Sequence, residues 1–227
     1  MSLPPTHLWG VTGPVQPLEG GHRNQVFKLS HPDGDLVFKS TRRSADALDW
    51  LHNVFHQIGP DLCAPYLKAS LSGQLLQNGW TCEPFIMGHP VSEQEAQQIK
   101  LPPIHGPQRH GFTTTPALGN HDTSGDIDLR AMPRDVVSAC RAAWRALADL
   151  PTGVVHGDLN PSNLKRLPDG RICLLDWDEA RVDARIFDLP IASLTPPQAK
   201  ARTAFEVASC WQIEPDRARN LANSLMQ

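Results

Sequence analysis

No stretch of this 227-residue chain approaches the run of about 20 apolar residues that a membrane-spanning helix needs. The N-terminus lacks a basic region followed by a hydrophobic stretch, the pattern of a secretory leader. Both absences set the expectation of a cytoplasmic protein with no membrane partner. A marked excess of either charge is also missing. Lys and Arg number 21 against 24 Asp and Glu, a net charge of -3, which gives no electrostatic reason to expect nucleic acid. Cysteine is sparse and scattered, at Cys63, Cys82, Cys140, Cys173 and Cys210, with no C-x-x-C spacing. An odd, dispersed set reads as reduced, mostly buried thiols rather than disulfides or zinc ligands. His105, His110 and His121 lack helical i, i+4 spacing and read as loop residues rather than a metal cluster.

What remains is ordinary globular composition, 40% hydrophobic and 20% charged, at a length that suits one large domain or two small lobes. The informative residues are concentrated in the second half. The apolar Val154-Val155 leads into His156-Gly157-Asp158, and Asn163 follows that carboxylate by five residues. A second apolar run, Leu174-Leu175, delivers Asp176-Trp177-Asp178. Asn-Pro-Ser-Asn at 160–163 is also good surface-turn chemistry, but a turn alone leaves the matching second carboxylate unexplained. Phosphoryl transfer from a nucleotide needs such a set: one Asp for the attacking hydroxyl, and an Asn and a second Asp for magnesium.

The spacing repeats the kinase catalytic loop with Gly157 in place of Arg, and Asp176-Trp177-Asp178 stands where Asp-Phe-Gly would. That variant resembles the aminoglycoside phosphotransferase family, small-molecule relatives of protein kinases that include choline kinases. The resemblance implies an α+β, protein-kinase-like bilobal fold: a small antiparallel-sheet N-lobe over residues 1–86 and a mainly helical C-lobe over 87–227. It implies ATP, with GTP as the alternative, and magnesium (Mg2+). Asp158 would be the catalytic base, and Asn163 and Asp176 the metal ligands. Asp188, in Phe187-Asp188-Leu189, would brace the catalytic loop without touching substrate. Asp178 would add an outer contact to the metal or cap the turn.

The first half fits the same frame. Gly20 and Gly21 sit in a turn between two apparent strands, where glycines let backbone N–H groups approach phosphates. The resemblance makes Lys39, at the end of Leu36-Val37-Phe38-Lys39, the phosphate lysine, with Lys28 as competitor. A helix over about 44–57 presents Leu48, Leu51, Val54 and Phe55 on one face. It lacks the expected Glu, leaving Asp46 or Asp49 as partner of the lysine. Backbone groups around Glu83 and Phe85 would meet the adenine edge. Ser92 to Glu95 reads as a capping box opening a helix to about Lys100. The Pro- and Gly-rich span 101–130 reads as a partly ordered insertion that shapes the acceptor site. A strong amphipathic helix follows over 134–150, and two more helices begin after Thr195 and Glu214.

The partners expected are therefore a nucleotide and a small hydroxyl-bearing acceptor. Two alternatives remain open: a nucleotide-binding pseudokinase, and an atypical protein kinase. The second lacks an activation segment ending in Ala-Pro-Glu.

Overall fold

The computed structural model describes residues 2–18, 24–104 and 113–227. The chain forms two compact units, Met1–Ser92 with Asn160–Leu175, and Glu93–Leu159 with Asp176–Gln227.

In the first unit, β1 (Val15–Pro17) pairs antiparallel with β2 (Val26–Leu29), which pairs with β3 (Leu36–Ser40). Gly34, at φ 115, closes the β2–β3 turn by donating its N–H to His31 O at 3.0 Å, a conformation that favours glycine. Alternation puts Phe27 and Leu29 on one face with Leu36 and Phe38 opposite them, all buried. Helix α1 (Ala45–Phe55) follows, capped by Ser44 Oγ, which accepts the Ala47 N–H at 3.2 Å. It buries Leu48, Leu51, Val54 and Phe55 as the 3.6-residue period predicts, and Trp50 besides. After β4 (Leu62–Cys63), the two-residue Asn78-Gly79 turn, with both φ values positive, leads into β5 (Trp80–Pro84) against β3. β6 (His89–Pro90) ends this stretch.

The second unit opens with α2 (Glu93–Ala96), shorter than the helix to Lys100 that the capping box predicts. Gln98 and Ile99 already reach back only three residues, to Glu95 and Ala96. Pro102 and Pro103 follow closely, and a proline turns the residue before it away from helical geometry. The span 101–130 is also more ordered than expected. It holds α3 (Thr115–Asn120) and a small hairpin of β7 (Thr123–Ser124) and β8 (Ile127–Asp128). Leu118 and Leu129 are fully enclosed in the unit's main core. Helix α4 (Arg134–Arg145) packs Val136, Cys140 and Trp144 into that core and leads to β9 (Thr152–Val155).

The hairpin of β10 (Leu164–Arg166) and β11 (Ile172–Leu174) belongs to the first unit, in a second sheet ordered β4-β11-β10-β6. β12 (Arg181–Ala184) then pairs with β9 in the second unit, Arg181 opposite Val155. Helix α5 (Pro196–Cys210) starts at a Thr195–Gln198 capping box, and α6 (Pro215–Leu225) closes the chain against it. The first unit is thus built on antiparallel sheet and the second is mainly helical. Among the described residues no helix is long and apolar enough to cross a membrane.

Asp183 on β12 ties the 113–130 segment to this frame. Its carboxylate accepts from Thr115 N (2.9 Å), Thr115 Oγ1 (2.6 Å), Ala184 N (2.8 Å) and Arg181 Nε (3.0 Å), with Arg181 and Asp183 both sealed from solvent. Removing one member of a buried ion pair strands the other charge, so Asp183→Ala should lower stability by about 3–5 kcal/mol. A urea midpoint unchanged from the parent would contradict this account of the second unit.

Candidate active site

β9 ends at Val155, and the next three residues form a turn held from below. Asp188 receives the His156 N–H on Oδ2 at 2.8 Å and the Gly157 N–H on Oδ1 at 2.9 Å. Asp188 is thus the brace that its position in Phe187-Asp188-Leu189 implies. Burial pushes its carboxyl above the usual carboxylate range, while the two N–H groups and the Arg181 charge pull it back. His156 is itself fully buried. Its ring lies 4.7 Å from the Trp177 ring, and its Nδ1 accepts the Asp158 N–H at 3.3 Å. The turn therefore has fixed backbone groups, while the Asp158 side chain remains exposed.

Gly157 is required on two counts. Its φ of 89 lies in the left-handed region, and a Cβ there would stand 2.6 Å from Arg181 Nη1 and 2.7 Å from Glu179 O. The Arg181 guanidinium occupies that space. It bonds Asp183 and Glu179 O (3.0 Å) and lies over the Phe205 and Phe187 rings at 3.9 and 4.4 Å, while Nη2 has no hydrogen-bond partner. The cost of burying this cation is met by one carboxylate and two aromatic faces. Sequence reasoning missed Arg181, Asp183 and Thr115. The faint signal was a charged pair two apart on a short apolar strand, which alternation alone places on one face.

Asn160 Oδ1 accepts the Ser162 N–H at 2.9 Å and opens a single 3-10 turn, Pro161–Asn163. The turn chemistry at 160–163 and the spacing to Asn163 are thus one feature: the turn places Asn163 at the start of β10. Across the hairpin, the Leu175 N–H donates to Asn163 O at 2.8 Å, extending the Leu164–Leu174 register by one rung. Asp176 follows Leu175 with φ 55 and ψ 66, left-handed for a non-glycine residue, and its side chain is exposed. Asp tolerates this region better than most residues, and strain of this kind is concentrated at working sites. The Asp176 carboxylate and the Asn163 amide oxygen are each hard oxygen donors of the kind that magnesium takes alongside waters and phosphate oxygens.

In the first unit, Lys39 is half-buried on β3, opposite Val26 on one side and Thr81 on the other. Lys28 has a separate engagement, an ion pair with Asp35 at 2.6 Å and a position 4.2 Å over the Phe85 ring. Lys28 holds the Asp35 carboxyl below its usual range. Asp46 and Asp49 are both exposed on α1. Glu83 lies opposite Val37 in the sheet, and the Phe85 N–H already donates to Asp35 O at 2.8 Å. Gly20 and Gly21 lie outside the described residues.

The model of the phosphotransferase enzyme family matches residues 105–221, just over half the chain. The chain belongs to the phosphotransferase enzyme family. It is therefore a phosphotransferase with an alcohol group as acceptor. Solved structures share the fold at low identity. The aminoglycoside phosphotransferase APH(4)-Ia is 14% identical, with 97% of this chain and 95% of that one covered at a TM-score of 0.63. The choline kinase LicA from Streptococcus pneumoniae is 13% identical, covering 95% and 94% at 0.59. Spectinomycin phosphotransferase APH(9)-Ia, solved with ADP and spectinomycin, is 10% identical, covering 97% and 91% at 0.54. None of the curated protein sequences matches this chain.

In this phosphotransferase the Gly157 contacts yield a direct test. Gly157→Ala forces a left-handed Ala against Arg181 and should cost about 1–3 kcal/mol from backbone strain alone. Thermal denaturation of the purified variant checks this, and an unshifted midpoint would mean that the turn is not held as described.

Proposed function

We propose that this phosphotransferase moves the γ-phosphate of ATP, with GTP as the alternative donor, to a hydroxyl of a small amino alcohol, sugar or aminoglycoside-like acceptor in the cytoplasm. The observation that carries the reading is the clamped His156-Gly157-Asp158 turn, with Asn163 and Asp176 flanking the hairpin that follows. Residues 1–86 would serve the nucleotide and 87–227 the catalytic loop, metal and acceptor, apart from the 160–175 hairpin that folds with the first unit.

Asp158 accepts the proton of the acceptor hydroxyl as its oxygen bonds to the γ-phosphorus and the bond to the departing diphosphate breaks. Its exposed carboxylate on a rigid turn suits this task, because positioning supplies much of the catalysis. Asn163 and Asp176 would hold magnesium, which supplies charge neutralisation at the phosphates. Lys39 steadies the phosphates, and Gly20 and Gly21 offer backbone N–H groups to them. The adenine edge is met by the backbone along 83–86. Glu83 and Phe85 mark that segment, and with the Phe85 N–H engaged elsewhere the contacts come from its remaining groups.

A strongly acidic pocket for a polycation finds no support in the C-terminal helices. There Arg217 pairs with Glu206 at 3.3 Å and Glu214 at 3.7 Å, and Arg219 pairs with Asp216 at 3.2 Å. That balance favours a metabolic alcohol or amino alcohol. The exposure of Asp46 and Asp49 favours one rival, a nucleotide-binding pseudokinase. Nucleotide binding without transfer to any amino alcohol, sugar or peptide would establish the rival, and phosphate appearing on a protein substrate would point to an atypical protein kinase.

A thermal-shift series with ATP, GTP and magnesium, followed by an acceptor panel, tests the reading. With the acceptor in hand, Asp158→Ala should retain magnesium-nucleotide binding and lose about 10²–10⁴-fold in turnover. Asp176→Ala should lose both. Near-full turnover in Asp158→Ala would remove that residue from the chemistry.

The two lysines separate in the same assays. Lys39→Met should weaken nucleotide affinity or slow transfer about tenfold or more, in keeping with loss of a charge-assisted phosphate contact. Lys28→Met should leave both nearly unchanged, because Lys28 serves Asp35. Equal effects of the two substitutions would reassign the phosphate lysine.

A further inference from the structure

The five cysteines, dispersed in sequence, are not all dispersed in space. β4 runs parallel to β11 in the first unit, with Leu62 opposite Ile172 and Cys63 directly opposite Cys173. In-register neighbours on adjacent strands stand about 4.8 Å apart at Cα. That spacing lies inside the span a disulfide bridges, about 4.4–6.8 Å. Both side chains leave the sheet on the same face, because paired residues on adjacent strands share a face. The Cys63 thiol also lies 3.7 Å from Ile172 O. β4 is only two residues long and sits at the edge of its sheet, so the small approach needed to bond the sulfurs meets little resistance.

The two thiols differ in access. Cys63 is partly exposed, whereas Cys173 beside it is fully buried. The neighbouring Cys173 thiol draws the Cys63 thiol below its ordinary pKa, with the Arg171 charge adding to the effect, and the same proximity together with burial pushes Cys173 upwards. A partly exposed thiol with raised thiolate character beside a resolving thiol is the arrangement found in oxidant-sensitive pairs. The other three cysteines contrast with this pair. Burial pushes Cys82 and Cys140 up to about 12 and raises Cys210 as well.

We propose that Cys63 and Cys173 form a modification site which a peroxide closes into a cross-strand disulfide. The Cys63 thiolate attacks one peroxide oxygen, the O–O bond breaks, and the departing hydroxide takes up a proton as water. The sulfenic acid left on Cys63 is then attacked by the Cys173 sulfur; the S–S bond forms, the S–O bond breaks, and a second water leaves with the Cys173 proton. Two thiols are oxidised and one peroxide is reduced to two waters, with no further reactant. The bond joins β4 to the strand that ends two residues before Asp176. Any consequence for transfer rests on the proposed role of Asp176, whereas the bond itself does not.

Hydrogen peroxide added to the full-length protein, followed by non-reducing digestion and mass spectrometry, tests the site. The expected result is a Cys63–Cys173 linked peptide, loss of two of the five titratable thiols, and recovery of both with dithiothreitol. Cys63→Ala, altered at a partly exposed edge position, should abolish the linkage and leave Cys173 reduced. Cys173→Ala should instead trap Cys63 as a sulfenic acid detectable with a dimedone probe. Five free thiols after treatment, Cys63 oxidised to sulfinic acid without linkage, or linkage to another cysteine would each overturn the proposal. Turnover is measured in parallel, so failure of the kinase reading leaves the thiol result standing and failure of the thiol pair leaves the kinase reading untouched.

Discussion

Two backbone N–H groups converge on one buried carboxylate, and the turn that carries Asp158 depends on that contact. His156 and Gly157 both point their amides at Asp188, one on each oxygen. Hydrogen bonds to a charged acceptor contribute about 1.5–3 kcal/mol each, which sets them against the penalty of burying the carboxyl. With both amides committed, the peptide planes before Asp158 cannot rotate, and the carboxylate that follows is carried on a fixed base. The His156 imidazole adds a third restraint from the same turn, accepting the Asp158 N–H through Nδ1. Preorganisation of this kind costs stability elsewhere and returns it as positioning at the reacting atom.

The space under this turn is filled by a guanidinium. Arg181 comes from β12, the partner strand of β9, and reaches the position where any residue but glycine at 157 would put a Cβ. Asp183, two residues along the same strand, holds Arg181 on one side and Thr115 on the other. A single buried carboxylate thereby connects the strand behind the His156–Asp158 turn to the first turn of α3. The segment that composition marks as a loose Pro- and Gly-rich insertion thus enters the core through Leu118 and Leu129 and is fastened by Asp183.

The magnesium-ligand candidates depend on a different device, a short hairpin. Asn163 is delivered by an Asn160-capped turn, and Asp176 leaves the opposite strand in a left-handed conformation. The register of β10 and β11 sets the rung at which both leave the ladder. On its other side β11 pairs with β4, which places Cys173 beside Cys63, so the strand that leads to Asp176 also carries one thiol of that pair.

Much of this was legible in sequence. Period-3.6 patterning located α1 and α4, Thr195 and Glu214 marked the origins of the last two helices, and the spacing from His156 to Asp176 identified the chemistry, because local propensities and near-neighbour motifs are written along the chain. The reach of α2, the order within 113–130, the Lys28–Asp35 engagement and the fate of the Phe85 N–H were not legible, since each is decided by a partner distant in sequence or by the alternation of a ladder. Arg181 and Cys63 make the difference plain. Nothing near residue 181 announces a cation to be buried under a glycine, and nothing between residues 63 and 173 announces two thiols in register. The sequence alone determined which residue types were available for phosphoryl transfer and in what order. Only tertiary structure decided which of them are clamped, which buried charge supports the turn, and which cysteines meet, because strand pairing and burial are properties of contacts rather than of neighbours.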